Sequence, residues 1–149
     1  MSTHSIIALF ESESIRRESF QYATALARRM NSWLTILVIL PLEASINSRG
    51  GVEAMLQRAV QTRSAFENLV AATRSEDIIA DIVVRIGNPK SELVKFLAET
   101  GQPGTIVWGS APNLMKRRDH WLVRMKDVLT FPIVTPFVKS MPQSTRPII

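Results

Sequence analysis

The densest chemistry in this sequence lies between Ala111 and Lys126, where Lys116, Arg117, Arg118, Arg124 and Lys126 stand against one acid, Asp119. Side chains of this kind neutralise a phosphate, an acidic protein surface or an anionic membrane face. The whole chain has 18 basic and 13 acidic residues and a formal charge of +5, so this one segment accounts for nearly all of the excess. The plainer reading of the same run is a solvated loop and helix face with no ligand.

The other reactive residue types are sparse. His4 and His120 are the only histidines and lie far apart, without clustered carboxylates, so neither a metal site nor a histidine-based triad is expected. The absence of cysteine excludes disulfides, a thiolate metal site and a cysteine nucleophile. The basic run lacks interleaved exposed aromatics and any recognised binding module, which argues against nucleic acid. The five apolar residues Ile6 to Phe10 are too few for a signal peptide, and Trp33 to Leu42 is about half of the ~20 residues a spanning helix needs. A soluble, cytoplasmic protein without membrane insertion is the expectation.

The elements that must position these residues follow from the hydrophobic pattern. A chain of 149 residues with 46% hydrophobic content is one domain's worth, with a real core. Apolar runs of strand length alternate with segments of helical period, the pattern of a parallel sheet covered by helices. Ile6 to Phe10 reads as a buried first strand, followed by a helix capped by Ser12 or Ser14 with Phe20, Ala23, Ala27 and Met30 inward. Trp33 to Leu40 is a second strand, stopped by Pro41. A long helix follows a loop over 42–51, with Val52, Met55, Leu56, Ala59, Phe66, Leu69 and Val70 on one face.

Ile82 to Ile86 is a third strand, closed by Gly87. Asn88 and Pro89 form an N-cap and first helical position, opening a helix with Leu93, Phe96 and Leu97 inward. Thr105 to Trp108 is a fourth strand, Trp121 to Leu129 a last short helix, and Ile133 to Val138 a fifth strand, with Pro132 and Pro136 suiting an edge. Residues 1–138 thus make one α/β domain, and 139–149 are expected to be a flexible tail. Right-handed crossovers make this alternation a doubly wound, Rossmann-like sheet, which binds ligands beyond the carboxyl ends of its strands. Those ends are Phe10-Glu11, Leu40-Pro41, Ile86-Gly87 and Gly109-Ser110, with Lys116, Arg117 and Arg118 just beyond the last of them.

Three stretches resemble the universal stress protein family: Ser14-Ile15-Arg16-Arg17 with Ala23 to Asn31 and the strand after it, Val84 to Pro89 with its helix, and Ile106-Val107-Trp108-Gly109-Ser110. Weaker similarity runs through Phe131 to Val134, so the likeness covers about residues 5 to 138. It implies a three-layer, mostly parallel, open five-stranded sheet of order 3-2-1-4-5 and a homodimer, often paired through the last strand, here 133–138.

Many members of that family bind ATP, and their motif is incomplete here. An Asp ends their first strand, where this chain has Phe10, or Glu11 with a one-residue shift. Their fourth strand runs into a loop of the form Gly, two residues, Gly, nine residues, Gly, then Ser or Thr. Gly109 matches the first glycine, whereas Pro112, Leu122 and Val123 fall on the other three positions, and no glycine occurs after Gly109. Without glycines the backbone N–H groups cannot form the usual phosphate cradle. The resemblance therefore implies a binding or regulatory module of the stress response, or of a partner such as a transporter, with a degenerate nucleotide site, no expected cofactor and no catalysis beyond weak ATP hydrolysis. One alternative is a protein that holds ATP or another adenine nucleotide through Lys116, Arg117 and Arg118. Another is an interaction protein docking an acidic partner through the same residues. Candidate ligand contacts are Phe10, Glu11, Leu40, Gly87, Gly109, Ser110, Lys116, Arg117 and Arg118.

Overall fold

The computed structural model of the chain describes residues 5–11, 15–42, 51–73, 80–110 and 119–136. Non-alternating runs of Ile, Leu and Val form strands buried on both faces, which is why β1 (Ser5–Phe10) and β2 (Trp33–Leu40) lie at the middle of the sheet. They are joined by α1 (Arg17–Met30), and β2 leads through α2 (Gly51–Thr73) to β3 (Ala80–Ile86). The chain continues through α3 (Pro89–Thr100), β4 (Thr105–Trp108), α4 (Trp121–Met125) and β5 (Ile133–Val134). All neighbouring strands are parallel and their order is β3-β2-β1-β4-β5, as the resemblance implied.

The period of two along each strand divides the interior into two cores. Ile6, Ala8 and Phe10 of β1 point to one side, with Phe20, Ala23 and Ala27 of α1 and Met55 and Phe66 of α2. Ile7 and Leu9 point to the other, with Leu93 and Phe96 of α3, Trp108 and Leu122. The sheet is thus a middle layer between two helical layers.

Several local expectations change. Neither Ser12 nor Ser14 lies within the described residues; the N-cap of α1 is Arg16, whose side chain makes no cap bond. Arg16 instead donates to Ser19 Oγ at 2.8 Å and to the carbonyl of Pro136. Met30 is 43% exposed because it lies in the last turn of α1, past the sheet-facing stripe. In α2 the face splits: Met55 and Phe66 are buried, Ala59, Leu69 and Val70 partly so, while Val52, Leu56 and Val60 face outward. Apolar residues on two sides of one helix leave its period undecided.

The last helix stops at Met125, and Val128 is exposed. Within the described residues the last strand is Ile133–Val134 and ends before Pro136, which lacks the N–H a ladder needs, while Phe137 and Val138 of the expected strand lie outside them. Residues 137–149, including the expected tail, lie outside the described residues. Asn88 behaves as expected: its Oδ1 accepts from Ser91 N–H at 3.0 Å ahead of Pro89.

Candidate functional site

The carboxyl ends of β1 and β4 are adjacent, and the backbone ties them closely. Gly109 N–H donates to the Leu9 carbonyl at 2.7 Å, and Glu11 N–H donates to Ser110 Oγ at 2.8 Å. Phe10 is fully buried and meets the Phe66 ring edge-on at 4.9 Å between centroids. Its ring also covers Gly109: a Cβ there would stand 2.5 Å from Phe10 Cε2 and 2.7 Å from Cζ. Gly109 does not have a positive φ, so its lack of a side chain serves close approach rather than an unusual turn. What approaches is this chain's own phenyl ring.

Beside that ring Glu11 is held by two side chains from the start of α4. Trp121 Nε1–H donates to Glu11 Oε2 at 2.7 Å, and His120 Nε2 stands 3.0 Å from Oε1. His120 Nδ1 accepts from Leu122 N–H at 3.1 Å, so the imidazole is the N-cap of α4. An Nδ1 that accepts is unprotonated, which assigns the ring proton to Nε2 and makes His120 the donor to Glu11. His120 is 6% exposed, its ring stacked on Trp121 at 5.5 Å and edge-on to Trp108 at 5.0 Å. Among the described residues the buried Trp108 Nε1 has no hydrogen-bond partner.

Ser110, His120 and Glu11 are the residue types of a hydrolytic triad, but their bonding does not form one. Both imidazole nitrogens are engaged, one by the helix backbone and one by the carboxylate. Ser110 Oγ is bonded to the Glu11 backbone. The arrangement fastens α4 to the end of β1 instead of activating a hydroxyl.

The other expected contacts separate from this cluster. Leu40 is buried, and its carbonyl accepts from Gly87 N–H at 3.0 Å at the β2–β3 end of the rim. Gly87 has φ +155°, and a Cβ would stand 2.8 Å from Glu92 Oε2, so it is a strand-ending turn pressed against α3. Lys116, Arg117 and Arg118 lie outside the described residues. Among the described residues no group of His, Asp and Glu could hold a metal ion, and no helix is long and apolar enough to cross a membrane. His120 and Trp121 were missed as partners of Glu11. The adjacent pair of ring N–H donors opening a helix after the fourth strand was the available signal.

No protein-family model matches the chain, and no curated protein does. Solved structures do. Universal stress protein UspA from Lactobacillus plantarum superposes with a TM-score of 0.67 at 15% identity, covering 90% of this chain and 97% of that one. A universal stress protein family member from Burkholderia pseudomallei gives 0.65 at 10% identity, covering 89% and 96%. A family protein from Arabidopsis thaliana, solved with AMP bound, gives 0.54 at 14% identity, covering 88% and 89%. The chain has the fold of the universal stress proteins over nearly its whole length.

Proposed function

We propose that the chain is a universal-stress-protein-like binding and regulatory module whose nucleotide site is degenerate, and that it works without catalysis. One observation carries this reading: the Phe10 ring lies against Gly109 where the β1 and β4 ends would otherwise leave a crevice. In open α/β sheets that crevice is where ligands sit. The loop glycines of the family motif, whose backbone N–H groups would cradle a phosphate, are missing. Mass spectrometry of small molecules released from the denatured, purified protein tests the reading. No stoichiometric adenine nucleotide is expected, and release of about one nucleotide per chain overturns it.

A second reading is adenine-nucleotide binding with Lys116, Arg117 and Arg118 in place of the glycine backbone donors. The AMP in the Arabidopsis thaliana protein of the same fold favours it. It requires that a copurifying nucleotide be lost from the double variant Lys116→Ala, Arg117→Ala. Retention of the nucleotide in that variant removes the basic-residue mechanism.

A further inference from the structure

The two ends of the sheet are not equivalent as surfaces for a second copy of the chain. At one end β5 has two residues among those described, with prolines at 132 and 136, and the Pro136 carbonyl is already taken by Arg16. At the other end β3 is a seven-residue strand whose outer edge has no neighbouring strand among the described residues. A long edge of this kind is a template for another strand.

The direction of the β3 backbone groups follows from one bond. Gly87 N–H donates inward to the Leu40 carbonyl, so odd-numbered residues of the strand turn their backbone toward β2 and even-numbered ones turn it outward. Ala80, Ile82, Val84 and Ile86 therefore present N–H and C=O groups at the free edge. A two-fold partner runs antiparallel and must match these outward residues with each other. Centred on Val83, the match is complete: Ala80 with Ile86 and Ile82 with Val84, in both directions.

The same register places Asp81 opposite Arg85, twice. Both side chains are on the α3 face of the sheet, where Arg85 reaches Glu99 at 2.6 Å and Glu92 at 3.6 Å. Asp81 is exposed and forms no ion pair among the described residues. Because odd residues turn their backbone inward, Asp81 and Arg85 would form a non-hydrogen-bonded pair, the kind whose side chains come closest. The guanidinium has five N–H donors and can serve Glu99 and a second carboxylate together. Moving the centre to Ile82 or Val84 loses both charge pairs.

We infer that the partner of this edge is a second copy of the chain: the β3 strands of two copies pair antiparallel about Val83, joining two five-stranded sheets into one. This inference is independent of the nucleotide-site reading.

Single-cysteine variants of the full chain test it, since the protein has no cysteine of its own. At the two-fold, Val83 Cα atoms would lie about 4.5 Å apart, within disulfide range. Val83→Cys should form a covalent dimer under mild oxidation, whereas Val134→Cys in β5 should not. Cross-linking of Val134→Cys without Val83→Cys overturns the proposal, and so does a monomer by sedimentation at high micromolar concentration. Asp81→Arg, an exposed change that keeps the fold by circular dichroism, should weaken the dimer about tenfold by opposing like charges. An unchanged dissociation constant in Asp81→Arg overturns the charge-paired register.

Discussion

Phe10 and Gly109, the last residue of β1 and the first after β4, are in such close contact that a methyl group on Gly109 would overlap the phenyl ring, with a Cβ 2.6 Å from Cδ2. The contact links core packing directly to the candidate site. The ring that meets Gly109 is also a member of the core, wedged against Phe66 and without solvent exposure. It cannot swing aside without leaving a cavity.

Gly109→Ala should therefore destabilise the protein by about 1–3 kcal/mol through overpacking. The cost should shrink when Phe10→Leu is present in the same chain, since the smaller side chain makes room. Denaturant unfolding of the two single variants and the double measures this coupling. Equal costs of Gly109→Ala in both backgrounds would mean that the ring is not what the glycine accommodates.

Glu11 should be worth more as an acceptor than as a charge. Glu11→Ala leaves the Nε1–H of Trp121 and the Nε2–H of His120 without their partner, at a cost of about 1–2 kcal/mol. Glu11→Gln keeps one carbonyl oxygen and should lose less. Tryptophan emission of Glu11→Ala should shift to the red as Trp121 becomes hydrated, and unchanged emission would contradict the bond.

At the start of α4, His120→Ala removes the N-cap and the bond to Glu11 together, whereas His120→Asn retains capping chemistry. Alanine should cost about 2 kcal/mol and asparagine clearly less. Unfolding midpoints of the two variants give the comparison. Equal losses would show that the bond to Glu11, not the cap, dominates.

Asn88→Ala should cost about 1 kcal/mol, because Ser91 N–H then faces solvent with no side-chain acceptor. Asn88→Asp should restore most of the loss. Thermal unfolding of both variants checks this, and a neutral alanine variant would mean that Pro89 alone sets the start of α3.

Much of this architecture was legible because the signals were local. Ile6 to Phe10 and Trp33 to Leu40 read as strands from their unbroken apolar content, and Asn88-Pro89 declared its helix start. The misreadings were of two kinds. Val52 and Leu56 were assigned inward because α2 has apolar residues on two sides, and periodicity cannot tell which side meets the sheet. The bond between Glu11 and His120 joins residues 109 positions apart, and the adjacent ring N–H donors at 120 and 121 signal a need for an acceptor without saying which one. Phe10 was visible as the wrong residue for a nucleotide site, but its packing on Gly109 needed the three-dimensional arrangement.

In the function proposed above, the Phe10 ring fills the strand-end crevice, which is then not an adenine-nucleotide site. Isothermal titration calorimetry of the intact chain with ATP, ADP and AMP at millimolar ligand tests it most directly. No saturable heat at that concentration is the predicted result, and micromolar binding of any of the three nucleotides would contradict it.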